Sequence, residues 1–300
     1  MKLASFNNGS VGIVEGDHVT ELVAGAPDPR YAHSAMRRLI ESAPGCAPGR
    51  LPRGERYPLS EVTLLAPVPD PSKVMAAPVN YRDHQREMNE DVQVSGLGLF
   101  LKAPSSLTGS GQQIVLPYSD RRFDQEGELA AVVGKTARFV EPADALEYVF
   151  GYTGLLDITM RGGEDRSTRK SFETFTPMGP WIVTADEFGS PADVELRCLV
   201  NGEVRQSANT RDLIWDVARL VAYASSVTTL HPGDVITTGT PAGVGPLHDG
   251  DTVELTLGGI GSALRLAVTD AKAVKSPTTG NDRGPVPPPP RPGDTRIVAP

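Results

Sequence analysis

Short apolar runs separated by turn residues dominate the chain. From Leu3 to Leu22, Val- and Ile-rich stretches are broken at Asn8-Gly9 and at Glu15-Gly16-Asp17, which is turn chemistry between strands. The period changes at Ala35 to Ser42, where Met36, Leu39 and Ile40 recur at helical spacing before Pro48 and Pro52 close the segment. Residues 1–65 are therefore expected to form a small N-terminal α+β domain. Pro67, Pro69 and Pro71 mark a linker. Beyond it the pattern predicts strands at Ile114–Pro117, Leu129–Gly134, Trp181–Thr184, Val194–Asn201, Val235–Thr238 and Thr252–Leu257. Two helices are expected, at Ala143–Phe150 and at Thr210–Thr228, where Leu213, Val217, Leu220, Val221 and Ala224 share a face. Residues 70–275 thus read as a β-rich α+β domain rather than a βαβ sheet.

Composition changes at the C-terminal end. Residues 276–300 include four consecutive prolines, Pro287 to Pro290, and little that could be buried, so a disordered, Pro-rich tail is expected there. The remainder is ordinary for a globular chain, with 39% hydrophobic and 22% charged residues over 300 positions. A net charge of -8 without a basic stripe disfavours nucleic acid and an anionic membrane as partners. An anionic substrate would need a local cluster of cations to enter. The two cysteines, Cys46 and Cys198, cannot build a disulfide framework or a four-ligand zinc site, and reduced buried thiols in a cytoplasmic protein are expected. No signal peptide and no apolar run of ~20 residues is present.

Candidate chemistry begins at Asp124-Gln125-Glu126-Gly127-Glu128, just before the apolar run Leu129–Val133. Residues two apart in a strand share a face, so Glu126 and Glu128 would stand side by side, with Asp124 as a possible third acid. Such carboxylates repel unless one is protonated or a cation lies between them. Hard oxygen donors suit Mg²⁺, Mn²⁺ or Ca²⁺. A solvated strand edge is the competing reading. Asp157 follows the apolar stretch Gly151–Leu156 and should be buried, where it needs either a metal or an ion-pair partner such as Arg161. His84 and Glu87, three apart, would face each other on a helical turn, the arrangement of an oriented general base. Arg161, Arg166, Arg169 and Lys170 form a basic cluster, which is either a clamp for substrate carboxylates or a charged surface loop. Pro232 to Gly245 reads as a strand entering a glycine-rich loop whose N–H groups could meet an anion, without Walker or dinucleotide spacing.

Together these pieces resemble the fumarylacetoacetate hydrolase family. The matching stretches are Asn80-Tyr81 through Glu87, Phe100-Leu101-Lys102, Asp124 through Glu128, Gly151 through Asp157, Thr176-Pro177-Met178-Gly179-Pro180, Asn201-Gly202-Glu203, and Pro232 through Gly245, in the family's order. The resemblance implies a mixed β-roll catalytic domain, usually dimeric, with Mg²⁺ or Mn²⁺ on Glu126, Glu128 and Asp157. It implies a His84–Glu87 dyad on a short lid and an active-site lysine at Lys170. Arg161, Thr240, Tyr81 and Lys102 become candidate substrate contacts. One departure is visible: the span between Asp157 and Lys170 is shorter than in some relatives and lacks their Pro-Trp pair, which bears on the acid-binding side of the pocket.

The function implied is metal-dependent hydrolysis of a C–C bond in an acylpyruvate-like 2,4-dioxo acid, in aromatic or carboxylic acid catabolism. Decarboxylation or isomerisation of 2-oxo acids on the same metal site is the alternative. A non-catalytic ligand-binding relative is the rival from another class, and the intact acids with His84 argue against it.

Overall fold

The computed structural model describes residues 1–23, 33–43, 48–271 and 274–278. Cys46 and the tail from residue 279 onward lie outside the described residues. Two of the first three residues expected in the tail are held in place: Ser276 is buried and donates its backbone N–H to Asp120, and the Thr278 hydroxyl donates to Glu164 at 2.8 Å. Both residues, at the start of the expected tail, thus find polar partners on the segments that carry Asp120 and Glu164.

Among the described residues, three sheets organise the fold. The largest runs in the order Arg53–Pro58, His18–Leu22, Ser10–Glu15, Lys2–Phe6, Thr176–Thr184, Val149–Leu156, Gly127–Val133, Val235–Thr237, Val74–Ala76, Phe100–Lys102. The N-terminal strands join the later ones directly, Leu3 pairing antiparallel with Ile182. A second sheet contains Glu203–Asn209, Glu195–Val200, Thr252–Leu257, Leu264–Asp270 and Gln113–Leu116. A third, small sheet joins Thr159–Met160, Phe123–Gln125 and Gly245–Pro246.

Gly127–Val133 is central, and all seven of its residues are buried. Its alternation divides it between two cores. Leu129, Ala131 and Val133 face the second sheet with Leu196, Cys198, Leu255 and Leu266, while Ala130 and Val132 pack with Leu3, Ile13, Leu39, Ile40 and Ile182. A strand covered on both faces reads as one unbroken apolar run. That layering leaves the end of the strand, where Glu126 and Glu128 stand, as a polar pocket inside the fold.

The helix expected at Ala35–Ser42 is present, capped by Ser34, whose hydroxyl accepts from the Arg37 N–H. Two helical expectations need correction. Ala143–Phe150 is a 3-10 turn, Ala145–Tyr148, followed at once by the strand Val149–Leu156. Thr210–Thr228 divides into a 3-10 turn at Thr210–Asp212 and a helix at Val217–Val227. Asp216 is the cause: its side chain accepts from the Arg219 N–H and starts a new helix there.

Candidate metal and catalytic site

Three carboxylates converge at one end of the central strand. Glu126 lies between Phe123–Gln125 and Gly127–Val133, and Glu128 lies two residues on. Asp157 is brought beside them by the neighbouring strand: Gly127 pairs with Leu156, and the Asp157 N–H donates to the Glu126 carbonyl at 2.8 Å. One oxygen from each of the three acids lies within 4.8 Å of the others, and all three side chains are buried. Asp124, the possible third acid of the sequence motif, is turned away. Its oxygens accept from Arg122 and Arg161, both at 2.7 Å.

The surrounding cations divide the acids into different electrostatic settings. Glu126 accepts from Arg161 at 2.9 Å and from Lys170 at 2.8 Å. Burial alone would raise its pKa, but the Lys170 and Arg161 charges outweigh burial and hold it well below the usual carboxylate range. Glu128 has neutral partners only, the Thr237 hydroxyl and the Gly239 N–H at 2.8 Å. Burial, and then the neighbouring Asp157 charge, push it up to about 8. A divalent cation among the three acids would favour the ionised form of Glu128, and all-oxygen donors fit Mg²⁺ or Mn²⁺. Asp157 accepts from Lys102 and Lys170, each at 2.5 Å.

His84 sits over the acids from the short helix Arg82–Glu87. Its Nδ1 lies 3.0 Å from a Glu87 oxygen, and the other Glu87 oxygen accepts from the Gly243 N–H at 3.0 Å. The glycine-rich loop therefore serves two of the protein's own carboxylates, Glu128 through Gly239 and Glu87 through Gly243. Both glycines need positive φ, +84° and +103°. A Cβ on Gly243 would meet the Arg205 carbonyl oxygen at 1.9 Å. Asn80 ties the two segments together, donating to the carbonyls of Thr238 and Trp215, both at 2.8 Å.

One cavity collects these groups. Its wall includes His84, Glu126, Glu128, Asp157, Arg161, Lys170 and Thr240. The Thr240 hydroxyl donates to the Gly127 carbonyl at 3.0 Å and accepts from Gln206. Two other candidates do not reach the wall. Lys102 is fully buried beneath Asp157 and also donates to the carbonyls of Lys170 and Phe175. The Tyr81 hydroxyl is buried without a hydrogen-bond partner among the described residues and borders a different hollow, with Arg82, Asp83 and Asp212. Arg169, Arg166 and Val79 line the cavity. Val79 does so with φ at +40°, a conformation strained for a β-branched residue. Thr237, Gly239, Gly243 and Thr159 support the acids and the dyad. Only the glycine-rich composition of the loop signalled any of them in the sequence.

Fold and site together define a β-rich protein with a buried three-carboxylate pocket suited to a hard divalent cation and roofed by an oriented histidine. The chain belongs to the fumarylacetoacetate hydrolase family: the family model described as fumarylacetoacetate (FAA) hydrolase C-terminal matches residues 73–267. A model described as Rv2993c-like, N-terminal matches residues 1–67. The chain is 45% identical over 286 residues to a maleylpyruvate hydrolase of Aquipseudomonas alcaligenes, covering 87% of this chain and 97% of the relative. A crystal structure of maleylpyruvate hydrolase from Sphingobium sp. SYK-6, in complex with manganese(II) and pyruvate, superposes with a TM-score of 0.78 at 39% identity, covering 91% of this chain and all of the other. A mitochondrial oxaloacetate tautomerase of Bos taurus is 38% identical over 224 residues, 70% of this chain and 71% of that one. Among the described residues, no helix is long and apolar enough to cross a membrane.

Proposed function

We propose that this protein is a divalent-metal-dependent hydrolase that cleaves the C–C bond of an acylpyruvate-like 2,4-dioxo acid. The observation that carries this reading is the convergence of Glu126, Glu128 and Asp157 on one cavity beneath the His84–Glu87 dyad. The sequence relationship to maleylpyruvate hydrolase supports the same substrate class. Mg²⁺ or Mn²⁺ held by the three acids supplies Lewis-acid polarisation of the 2-oxo acid end and stabilises the negative charge that develops there.

The chain's own residues do the rest. Glu87 accepts from His84 Nδ1–H, which fixes the tautomer and leaves Nε2 free to take a proton from water. The water oxygen bonds to C4 of the substrate, the C3–C4 bond breaks, and its electron pair passes to C3 as the enolate of the 2-oxo acid product. Lys170, between Glu126 and Asp157, holds positive charge beside that enolate until C3 is protonated. The products are a carboxylic acid and a 2-oxo acid. Thr240 and Arg161 bound the substrate space. Decarboxylation on the same acids would need no activated water, whereas isomerisation would use the dyad to carry a proton rather than to activate water.

A cytoplasmic homodimer completes the proposal. The family resemblance supports the dimer, and the buried free thiol of Cys198 suits a reducing compartment.

Acetylpyruvate turnover, followed by loss of ultraviolet absorbance, tests the reading. EDTA should abolish activity and Mn²⁺ or Mg²⁺ restore it, while His84→Ala should lower kcat by about 10²-fold or more. Cleavage indifferent to both the chelator and His84→Ala would overturn the proposal.

A further inference from the structure

After the short strand Thr159–Met160, residues 161–170 have one turn of their own, Arg166–Arg169, and begin with the glycine pair Gly162-Gly163. Glycines leave the backbone free, so a segment that carries Arg161 at one end and Lys170 at the other needs restraint from elsewhere in the fold. The Arg161 N–H donates to the Arg122 carbonyl at 2.8 Å, and the neighbouring Arg121 extends that tie. The Arg121 side chain is only 5% exposed. Its Nη2 donates to the Arg161 carbonyl at 3.2 Å and to both Glu164 oxygens at 2.8 Å. The guanidinium lies against Gly162, where a Cβ would meet Nη2 at 2.1 Å.

Arg121 is fixed in turn by the C-terminal segment. After the strand Leu264–Asp270 the chain runs beside residues 116–121. The Ala271 N–H donates to the Leu116 carbonyl at 2.9 Å, the Ser119 N–H to the Val274 carbonyl at 3.1 Å, and the Ser276 N–H to Asp120 at 2.8 Å. At the end of that run Arg121 Nη1 donates to the Thr278 carbonyl at 3.2 Å, the Thr278 hydroxyl at 3.1 Å and the Ser276 hydroxyl at 3.3 Å. The Thr278 hydroxyl donates its own hydrogen to Glu164 at 2.8 Å. One guanidinium thus joins the C-terminal segment to the cavity wall. Of residues 274–278 only Ser276 is buried, so apolar packing does not account for the arrangement. The segment also lies beyond residue 267, where the family match ends.

We infer that residues 276–278 brace the active site: their polar groups fix Arg121, a positioning residue for the wall segment 161–170 and so for Arg161 and Lys170. The link to turnover rests on the function proposed above; the brace rests on these contacts alone.

Hydrogen exchange and kinetics on the full chain test the two parts separately. In Arg121→Met and in Thr278→Val, amide exchange across residues 162–170 should rise by about tenfold or more, as the loss of hydrogen bonds to charged groups allows. Peptides from Gly127–Val133 should stay as protected as in the wild type. KM for acetylpyruvate should rise by about tenfold in Arg121→Met and by less in Thr278→Val, because a displaced wall weakens ground state and transition state together. Arg121→Lys keeps the charge but not the planar fork and should fall between wild type and Arg121→Met. Adding Thr278→Val to Arg121→Met should change KM little further, since both act through one contact network. KM does not depend on how much of the sample is folded, so general destabilisation does not mimic the effect. Thr278→Val alters one exposed residue and decides the matter alone if Arg121→Met does not fold. Unchanged exchange across 162–170 in Thr278→Val overturns the brace, and raised exchange with unchanged KM overturns the positioning role. If the wild type cleaves no acetylpyruvate, the hydrolase reading fails by itself, and exchange still decides the brace.

Discussion

Glu128 is the residue whose setting depends most on a bound cation. Without one, its folded pKa of about 8 lies above its ordinary value of 4.5. The folded state then holds a proton that the unfolded chain would release, so stability is lost as pH rises from 4.5 toward 8. Glu126 runs the opposite way: its depressed pKa contributes stability above the ordinary carboxylate range, which is lost only on acidification through the folded value. A bound divalent cation favours ionised Glu128 and removes the neutral-pH slope. Thermal unfolding of chelator-treated protein should therefore show Tm falling between about pH 5 and pH 8, by an amount on the order of a few kcal/mol in stability. Mn²⁺ or Glu128→Gln should flatten the profile; a flat profile in the chelated wild type contradicts this account. At this scale the sequence singled out Glu126, Glu128 and Asp157, which converge, and His84 and Glu87, which meet, because each candidate stands in a short stretch with its own pattern. Lys102 was not readable in the same way. Its contact with Asp157 spans 55 positions, and no local pattern distinguishes a cation beneath the acids from one facing substrate.

Among the elements, the glycine-rich loop after Val235–Thr237 does most to connect fold and chemistry. Its backbone N–H groups serve the site's own carboxylates rather than a ligand anion. Gly243→Ala should cost about 1–3 kcal/mol in backbone strain and more from the clash with the Arg205 carbonyl, and it should pull the donor away from Glu87. Gly9→Ala is the control, with φ at +95° but open space around it. A Tm loss no greater for Gly243→Ala than for Gly9→Ala would count against this role. Elements with steady patterning were legible, such as Ala35–Ser42 and the apolar run expected at Leu129–Gly134, which forms most of the strand Gly127–Val133. The strand Thr176–Thr184 was read only from Trp181, because Pro177, Gly179 and Pro180 break the strand pattern that tertiary pairing then enforces. Ala143–Phe150 failed for a related reason: its apolar positions suit a helix, but Val149 is drawn into pairing with Val133.

Across the whole molecule, the site exists because strands distant in the chain become neighbours. Gly127–Val133 lies between Val149–Leu156 and Val235–Thr237, and this order delivers Asp157 and Thr237 to the two glutamates. The β-rich class could be read from strand-length runs, whereas strand order could not, since pairing at this distance leaves no local trace. The same order explains how a chain of charge -8 keeps five cations, Arg161, Arg166, Arg169, Lys170 and Lys102, within or just beneath one acidic cavity. The most direct measurement is calorimetric titration of Mn²⁺ into chelator-stripped protein, wild type against Asp157→Asn. One ion per chain should bind to the wild type, and at least about 10²-fold more weakly to the variant. Equal affinity in the two proteins, or no binding to the wild type, would contradict the account.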